Sequence, residues 1–274
     1  MILYIDGHDY HYELESLCNI FLPYEKIKVV DTLPTDTDPH ETIAITRMTE
    51  ETERISMFVS LKMEGVTKER ADCFTKEELA GEPFDKICGV KLALLLYHLF
   101  VEFTGYTPKW GVLTGVRPVK LLRKLAEERG EESAVDYFRN ILLVSPEKTD
   151  LCRTTMHHEQ KILSLSRRES YSLYISVPFC PTRCGYCSFV ASSMDKTKDL
   201  IPGYVELLCE ELAYTAQVAN GLGLRLESIY FGGGTPTTFS AEQLAKVMDV
   251  IRQNYDLSPC REWTIEAGRP DTIT

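Results

Sequence analysis

Leu92, Leu95, Leu96, Leu99, Phe100 and Phe103 recur at the spacing of one helical face, which predicts a core helix ended by Gly105. Alternation from Thr42 to Arg47 and from Arg54 to Lys62 predicts two strands, with Thr49–Thr52 as the connection of a hairpin. Ile2 to Ile5, closed by Asp6-Gly7, predicts a first strand, and a polar loop holding Pro34 and Pro39 separates it from the hairpin. A helix is expected from Pro118, where a missing N–H costs least, to a stop at Gly130. Another carries Tyr137, Phe138, Ile141 and Leu142, and a third opens at Pro146 and reaches about Arg168.

From Tyr171 the rhythm changes. Leu173–Val177, Leu226–Phe231 and Glu262–Ala267 read as strands, alternating with helices near Leu200–Val218 and Ala241–Asn254. Strands alternating with helices imply a parallel sheet or barrel. The expected fold class is therefore α/β, with a small α/β domain over residues 1–168 and a strand–helix domain over 169–274.

Length and composition agree with two globular domains at roughly 100 to 200 residues each. The chain has 274 residues, 44% hydrophobic and 26% charged, with 30 Lys+Arg against 41 Asp+Glu for a net charge of −11. That acidic balance disfavours broad binding to nucleic acid. The longest apolar stretch, Val90–Phe103, is interrupted by Lys91, His98 and Glu102 and is shorter than the about 20 residues of a membrane span. Met1–Asp6 lacks the basic start of an export signal, so a cytoplasmic location is expected. Nine cysteines fit a reducing compartment better than a disulfide framework. Six are scattered and read as ordinary thiols.

The other three are grouped as Cys180-x₃-Cys184-x₂-Cys187, directly after a strand. Soft thiolates this close favour an iron–sulfur cluster or another metal. Spacing alone leaves zinc and unliganded thiols open, although zinc wants a fourth ligand that Ser188, Phe189 and Val190 do not offer. A cluster with three protein ligands would leave one iron open to a chelating small molecule. Gly232-Gly233-Gly234-Thr235-Pro236 follows the second strand, where glycines let backbone approach a ligand and expose its N–H groups. Glu266 stands near the end of the third strand, a carboxylate able to accept hydrogen bonds from sugar hydroxyls. Three suitable groups at the carboxyl ends of three successive strands match the place where barrel enzymes assemble their sites. His157-His158-Glu159 and the basic residues Arg117, Lys120, Arg123 and Lys124 read as solvated helix faces.

Tyr174-Ile-Ser-Val-Pro-Phe-Cys180-x₃-Cys184-x-Tyr186-Cys187, Tyr230-Phe-Gly-Gly-Gly-Thr-Pro-Thr237 and Thr264-Ile-Glu266-Ala together resemble the radical S-adenosylmethionine enzymes. Within them the chain is most similar to the coproporphyrinogen III dehydrogenase family. Trp110-Gly-Val-Leu-Thr-Gly-Val-Arg-Pro118 in the leading domain points to its HemZ-type branch. The resemblance implies that Cys180, Cys184 and Cys187 hold a [4Fe–4S] cluster whose open iron binds S-adenosylmethionine. Tyr174 would support that cofactor, Tyr186 would pack beside it, Gly233, Gly234 and Thr235 would meet its methionine part, and Glu266 would take its ribose hydroxyls. An electron from the cluster would then give a 5′-deoxyadenosyl radical.

The implied reaction is oxygen-independent oxidative decarboxylation of coproporphyrinogen III to protoporphyrinogen IX in haem synthesis, with a separate reductant. Phe189 and Ser176 stand where the decarboxylating members have Cys and His, a pattern closer to the branches related to haem chaperones. A haem-binding or haem-delivery protein on the same scaffold is therefore the second reading, and a zinc-stabilised interaction module the third. The resemblance implies a (β/α)₆ partial barrel of which residues 169–274 hold only the first three strand–helix units. The chain thus reads as truncated, with the substrate pocket and its catalytic residues on strands beyond Thr274.

Overall fold

A computed structural model describes residues 1–32, 38, 40–79, 84–189, 191–267 and 269–273. Pro34, Pro39 and Val190 lie outside the described residues. The chain forms two compact units, residues 1–160 and 161–274.

In the first unit a five-stranded sheet has the order β2-β1-β3-β4-β5. Its strands are β1 (Ile2–Asp6), β2 (Lys28–Val30), β3 (Ile43–Glu50), β4 (Arg54–Met63) and β5 (Val66–Thr75). β1 runs parallel to both β2 and β3, and β3, β4 and β5 form an antiparallel meander. The predicted hairpin is β3–β4, with Thr46 facing Val59. Sequence patterning missed β5 because Lys68-Glu69-Arg70 resembles a solvated loop. It is an edge strand whose Lys68, Arg70 and Asp72 form ion pairs with Glu102 and Lys91 of the helix that follows, and only Phe74 is buried among its ten residues.

Helix α1 (His11–Phe21) was also unread, although Leu14, Leu17, Cys18 and Phe21 form its buried face. Helix α2 (Phe84–Thr104) is the predicted core helix, and Leu92, Leu96, Leu99 and Phe100 are buried. Phe21 stacks on Phe100 with ring centroids 4.7 Å apart. Each such side chain contributes about 1.5–3 kcal/mol on burial. Residues Lys86–Thr104 are long and apolar enough to cross a membrane by length and composition alone, a feature the shorter Val90–Phe103 reading did not register. Here they pack into this core. Helices α3 (Pro118–Arg129) and α4 (Glu131–Asp136) follow, the latter continued by a π-helical turn over Tyr137–Ile141. Gly130, at φ +86°, separates α3 from α4. Helix α5 (Pro146–Leu163) ends before the expected Arg168.

The second unit carries β6 (Ser170–Val177), β7 (Phe179–Cys180), β8 (Ser192–Ser193), α6 (Met194–Thr197), α7 (Ile201–Gly221), β9 (Arg225–Gly233), α8 (Ala241–Asn254) and β10 (Glu262–Ile265). β6, β9 and β10 form a parallel sheet in the order β10-β9-β6, as the alternating pattern requires. One face of it packs Ile175, Val177, Ile229 and Phe231 against Val205, Leu208 and Leu212 of α7 and Val247 and Ile251 of α8. α8 starts with a capping box in which Ser240 and Gln243 satisfy one another's backbone N–H groups. The α/β class is as the sequence implied.

Candidate functional site

Alternation along the three parallel strands places the opposite set of side chains on the face away from α7 and α8. This face carries Tyr174 of β6, Tyr230 of β9 and, just past the end of β10, Glu266. Tyr174 and Tyr230 are register partners, and their rings stack 5.8 Å apart. The Tyr230 hydroxyl donates to Glu266 Oε1 at 2.5 Å. That hydrogen bond to a carboxylate holds the Tyr230 pKa above its ordinary value.

At the carboxyl end of the sheet, a cavity of about 370 Å³ is lined by Cys180, Cys184, Cys187, Tyr186, Gly233, Gly234, Thr235 and Glu266. Eight of the nine site residues expected from the sequence thus share one cavity, and that volume is in the range of small-molecule sites. The ninth, Tyr174, lies outside the lining and is 57% exposed in its stack with Tyr230. Tyr186 is 92% exposed at the tip of the cysteine loop. Its pKa is raised, first by a hydrogen bond with Cys184.

The glycine turn is packed onto the strand end. Gly234 N donates to Val177 O at 2.8 Å and Thr235 N to Phe179 O at 2.7 Å. The expectation that this turn exposes its N–H groups therefore does not hold at 234 and 235, where neighbouring carbonyls take them. A Cβ on Gly234 would lie 2.6 Å from Phe179 O, 2.8 Å from Val177 O and 3.0 Å from Cys180 Sγ. Gly233, at φ +105°, would bring a Cβ within 2.9 Å of Ser176 Oγ. The glycines are needed for close approach to the first strand and its cysteine. Thr235, 3% exposed, places its hydroxyl 3.5 Å from Cys180 Sγ, where it can donate to the sulfur.

Cys180, Cys184 and Cys187 are all partly exposed and none is in a disulfide. Among the described residues, no three His, Cys, Asp or Glu groups stand close enough together to hold a metal ion as placed. The donor set nonetheless fits an iron–sulfur cluster. Three thiols border one cavity, and the backbone behind Cys180 is cleared of side chains by Gly234. The sequence reading missed Arg183, Ser192, Ser193 and Arg269, which line the same cavity. Arg269 had a signal in Glu266-x-x-Arg269-Pro270, three residues past the expected carboxylate. His157 pairs with Glu131 and Arg123 with Glu159 at the surface of the first unit, consistent with polar helix faces.

No protein-family model matches the chain. Over 281 aligned positions covering all of it, the chain is 30% identical to the oxygen-independent coproporphyrinogen-III oxidase-like protein HemZ of Bacillus subtilis (strain 168). Over its whole length the chain is thus similar to a HemZ-type coproporphyrinogen-III oxidase-like protein. It spans 55% of the length of that HemZ protein. It is also 38% identical over 105 residues to the oxygen-independent coproporphyrinogen III oxidase of Bradyrhizobium diazoefficiens, covering 38% of this chain and 23% of that one. The heme chaperone HemW of Lactococcus lactis is 37% identical over 100 residues, covering 36% of this chain and 24% of that one. The proteins it is similar to thus include some named as oxidases and some named as chaperones.

Proposed function

We propose that the second unit binds a [4Fe–4S] cluster and S-adenosylmethionine, and that the full-length protein uses them to oxidise coproporphyrinogen III to protoporphyrinogen IX. The observation that carries this reading is the convergence of Cys180, Cys184, Cys187, the glycine turn and Glu266 on one cavity at the ends of three parallel strands.

When bound, the cluster and its cofactor supply the electron and the hydrogen-abstracting chemistry. The chain's own residues bind and orient. Cys180, Cys184 and Cys187 provide three thiolates. Thr235 donates to the Cys180 sulfur and helps fix its position at the cavity wall. Gly233 and Gly234 keep the space behind that sulfur free of side chains, and Glu266 accepts from ribose hydroxyls. Tyr186, in the cysteine loop, would pack beside the cofactor, and Tyr174, stacked on Tyr230, would support it from the first strand of the sheet.

The test is anaerobic incubation of the full-length protein with S-adenosylmethionine, a reductant and coproporphyrinogen III. Formation of 5′-deoxyadenosine and loss of two CO₂ from the tetracarboxylate are expected. An unchanged tetracarboxylate and no 5′-deoxyadenosine would rule the activity out.

A second reading, haem binding and delivery on the same scaffold, is favoured by two positions. Phe189, exposed at the cavity, and Ser176, beside Gly233, replace the Cys and His of decarboxylating members. Stoichiometric haem binding without substrate turnover would select it.

A further inference from the structure

The segment just past β10 ties the other two strand ends together. The Arg269 guanidinium donates from Nη2 to the Thr182 carbonyl at 2.6 Å and to the Thr182 hydroxyl at 2.7 Å. Thr182 lies between the first two cysteines. Three residues on, Thr272 Oγ1 donates to Arg269 O at 2.8 Å, and it lies 2.5 Å from Thr237 Oγ1. A hydroxyl has one proton, so with that proton on Arg269 O the Thr237 hydroxyl is the donor to Thr272. Thr237 closes the glycine turn that backs Cys180. A short 3₁₀ turn over Pro270–Thr272 stiffens the connection.

We propose that Arg269 is a positioning residue for the cysteine loop. Through the Arg269–Thr272 strap it holds that loop and the glycine turn as one frame beside Glu266. The inference rests on the cluster-binding reading above and deepens it. Several physical features support the role. The cysteine loop is supported internally by Cys187 N donating to Cys184 O at 3.1 Å and by a long contact from Arg183 to Cys187 O at 3.4 Å. A charge-assisted pair of donors to one residue of that loop is stronger than either. Arg269 also lines the cavity itself, so its position fixes both the loop and the cavity wall. Both bonds leave one terminal nitrogen, Nη2, whose two N–H groups diverge in the guanidinium plane toward the carbonyl and the hydroxyl of Thr182.

The test uses the full chain reconstituted anaerobically as wild type, Arg269→Ala, Arg269→Lys and Thr182→Val. Iron and sulfide content, the rate of cluster loss to a chelator, and the electron paramagnetic resonance spectrum of the reduced cluster with and without S-adenosylmethionine are followed. Arg269→Ala is expected to lose its cluster about tenfold faster and to show an altered spectrum on cofactor addition, with unchanged circular dichroism. Arg269→Lys should fall between it and wild type. Thr182→Val, which keeps the carbonyl acceptor, should lose its cluster about two- to threefold faster, and it decides the matter if Arg269→Ala does not fold. Wild-type rates and spectra in Arg269→Ala, or in Thr182→Val where that variant decides, overturn the inference alone. A wild-type chain that takes up neither iron nor sulfide overturns the proposed function, and this inference with it.

Discussion

Tyr230 on β9 donates its hydroxyl proton to Glu266 at the end of β10, across neighbouring parallel strands. The contact fixes one carboxylate oxygen and leaves the other for a ligand. Tyr230→Phe removes the donor while keeping the stack on Tyr174. It is expected to weaken S-adenosylmethionine binding by about three- to tenfold, the worth of one ordinary hydrogen bond, because the lost contact only orients the carboxylate. Calorimetric titration of the reconstituted protein reads this directly. Unchanged affinity would remove Tyr230 from the account.

Gly234 is expected to tolerate no side chain. A Cβ there meets two backbone carbonyls and the Cys180 sulfur at 3.0 Å or less. Gly234→Ala should cost about 1–3 kcal/mol in urea unfolding and reduce iron uptake, because the glycine turn must move away from Cys180. Wild-type stability together with full iron content would contradict this packing.

The first unit offers a parallel test of a tightly packed glycine. Gly111, within the Trp110–Pro118 motif, has φ +57°, and a Cβ would lie 2.0 Å from Leu142 O. Gly111→Ala is expected to destabilise the chain by about 2 kcal/mol or more in chemical denaturation.

Glu227 gives the pH dependence. It is buried at the start of β9, and hydrogen bonds from Ser170 and Ser166 and the charge of Arg261 hold its pKa below the ordinary carboxylate value. A depressed folded-state pKa contributes stability that is present above the unfolded value and lost as pH falls through the folded one. Glu227→Gln should therefore lower the Tm at neutral pH. The gap from wild type should shrink below the carboxylate range, about pH 4. A gap that stays constant from neutral to acidic pH would contradict the assignment.

The long helices and the parallel strands were legible because each has a buried face with the right period. The Leu92–Phe103 stripe packs into α2, and Ile175, Val177, Ile229 and Phe231 cover one side of the sheet. β5 was not legible, because an edge strand with one buried residue has no apolar alternation to show. Its best signal was Glu64-Gly65, both at positive φ, the turn that reverses the chain from β4. The cavity was legible from motif spacing, since strand ends bring distant motifs together. The Arg269–Thr182 and Tyr230–Glu266 contacts were not, because register and loop path decide which side chains meet.

Iron and acid-labile sulfide after anaerobic reconstitution, compared between wild type and Cys184→Ala, test the central claim most directly. The account expects about four of each per wild-type chain, as the cluster type requires, and near-complete loss in Cys184→Ala, where two thiolates remain. A colourless wild-type protein holding one zinc and no sulfide, or full iron and sulfide in Cys184→Ala, would contradict it.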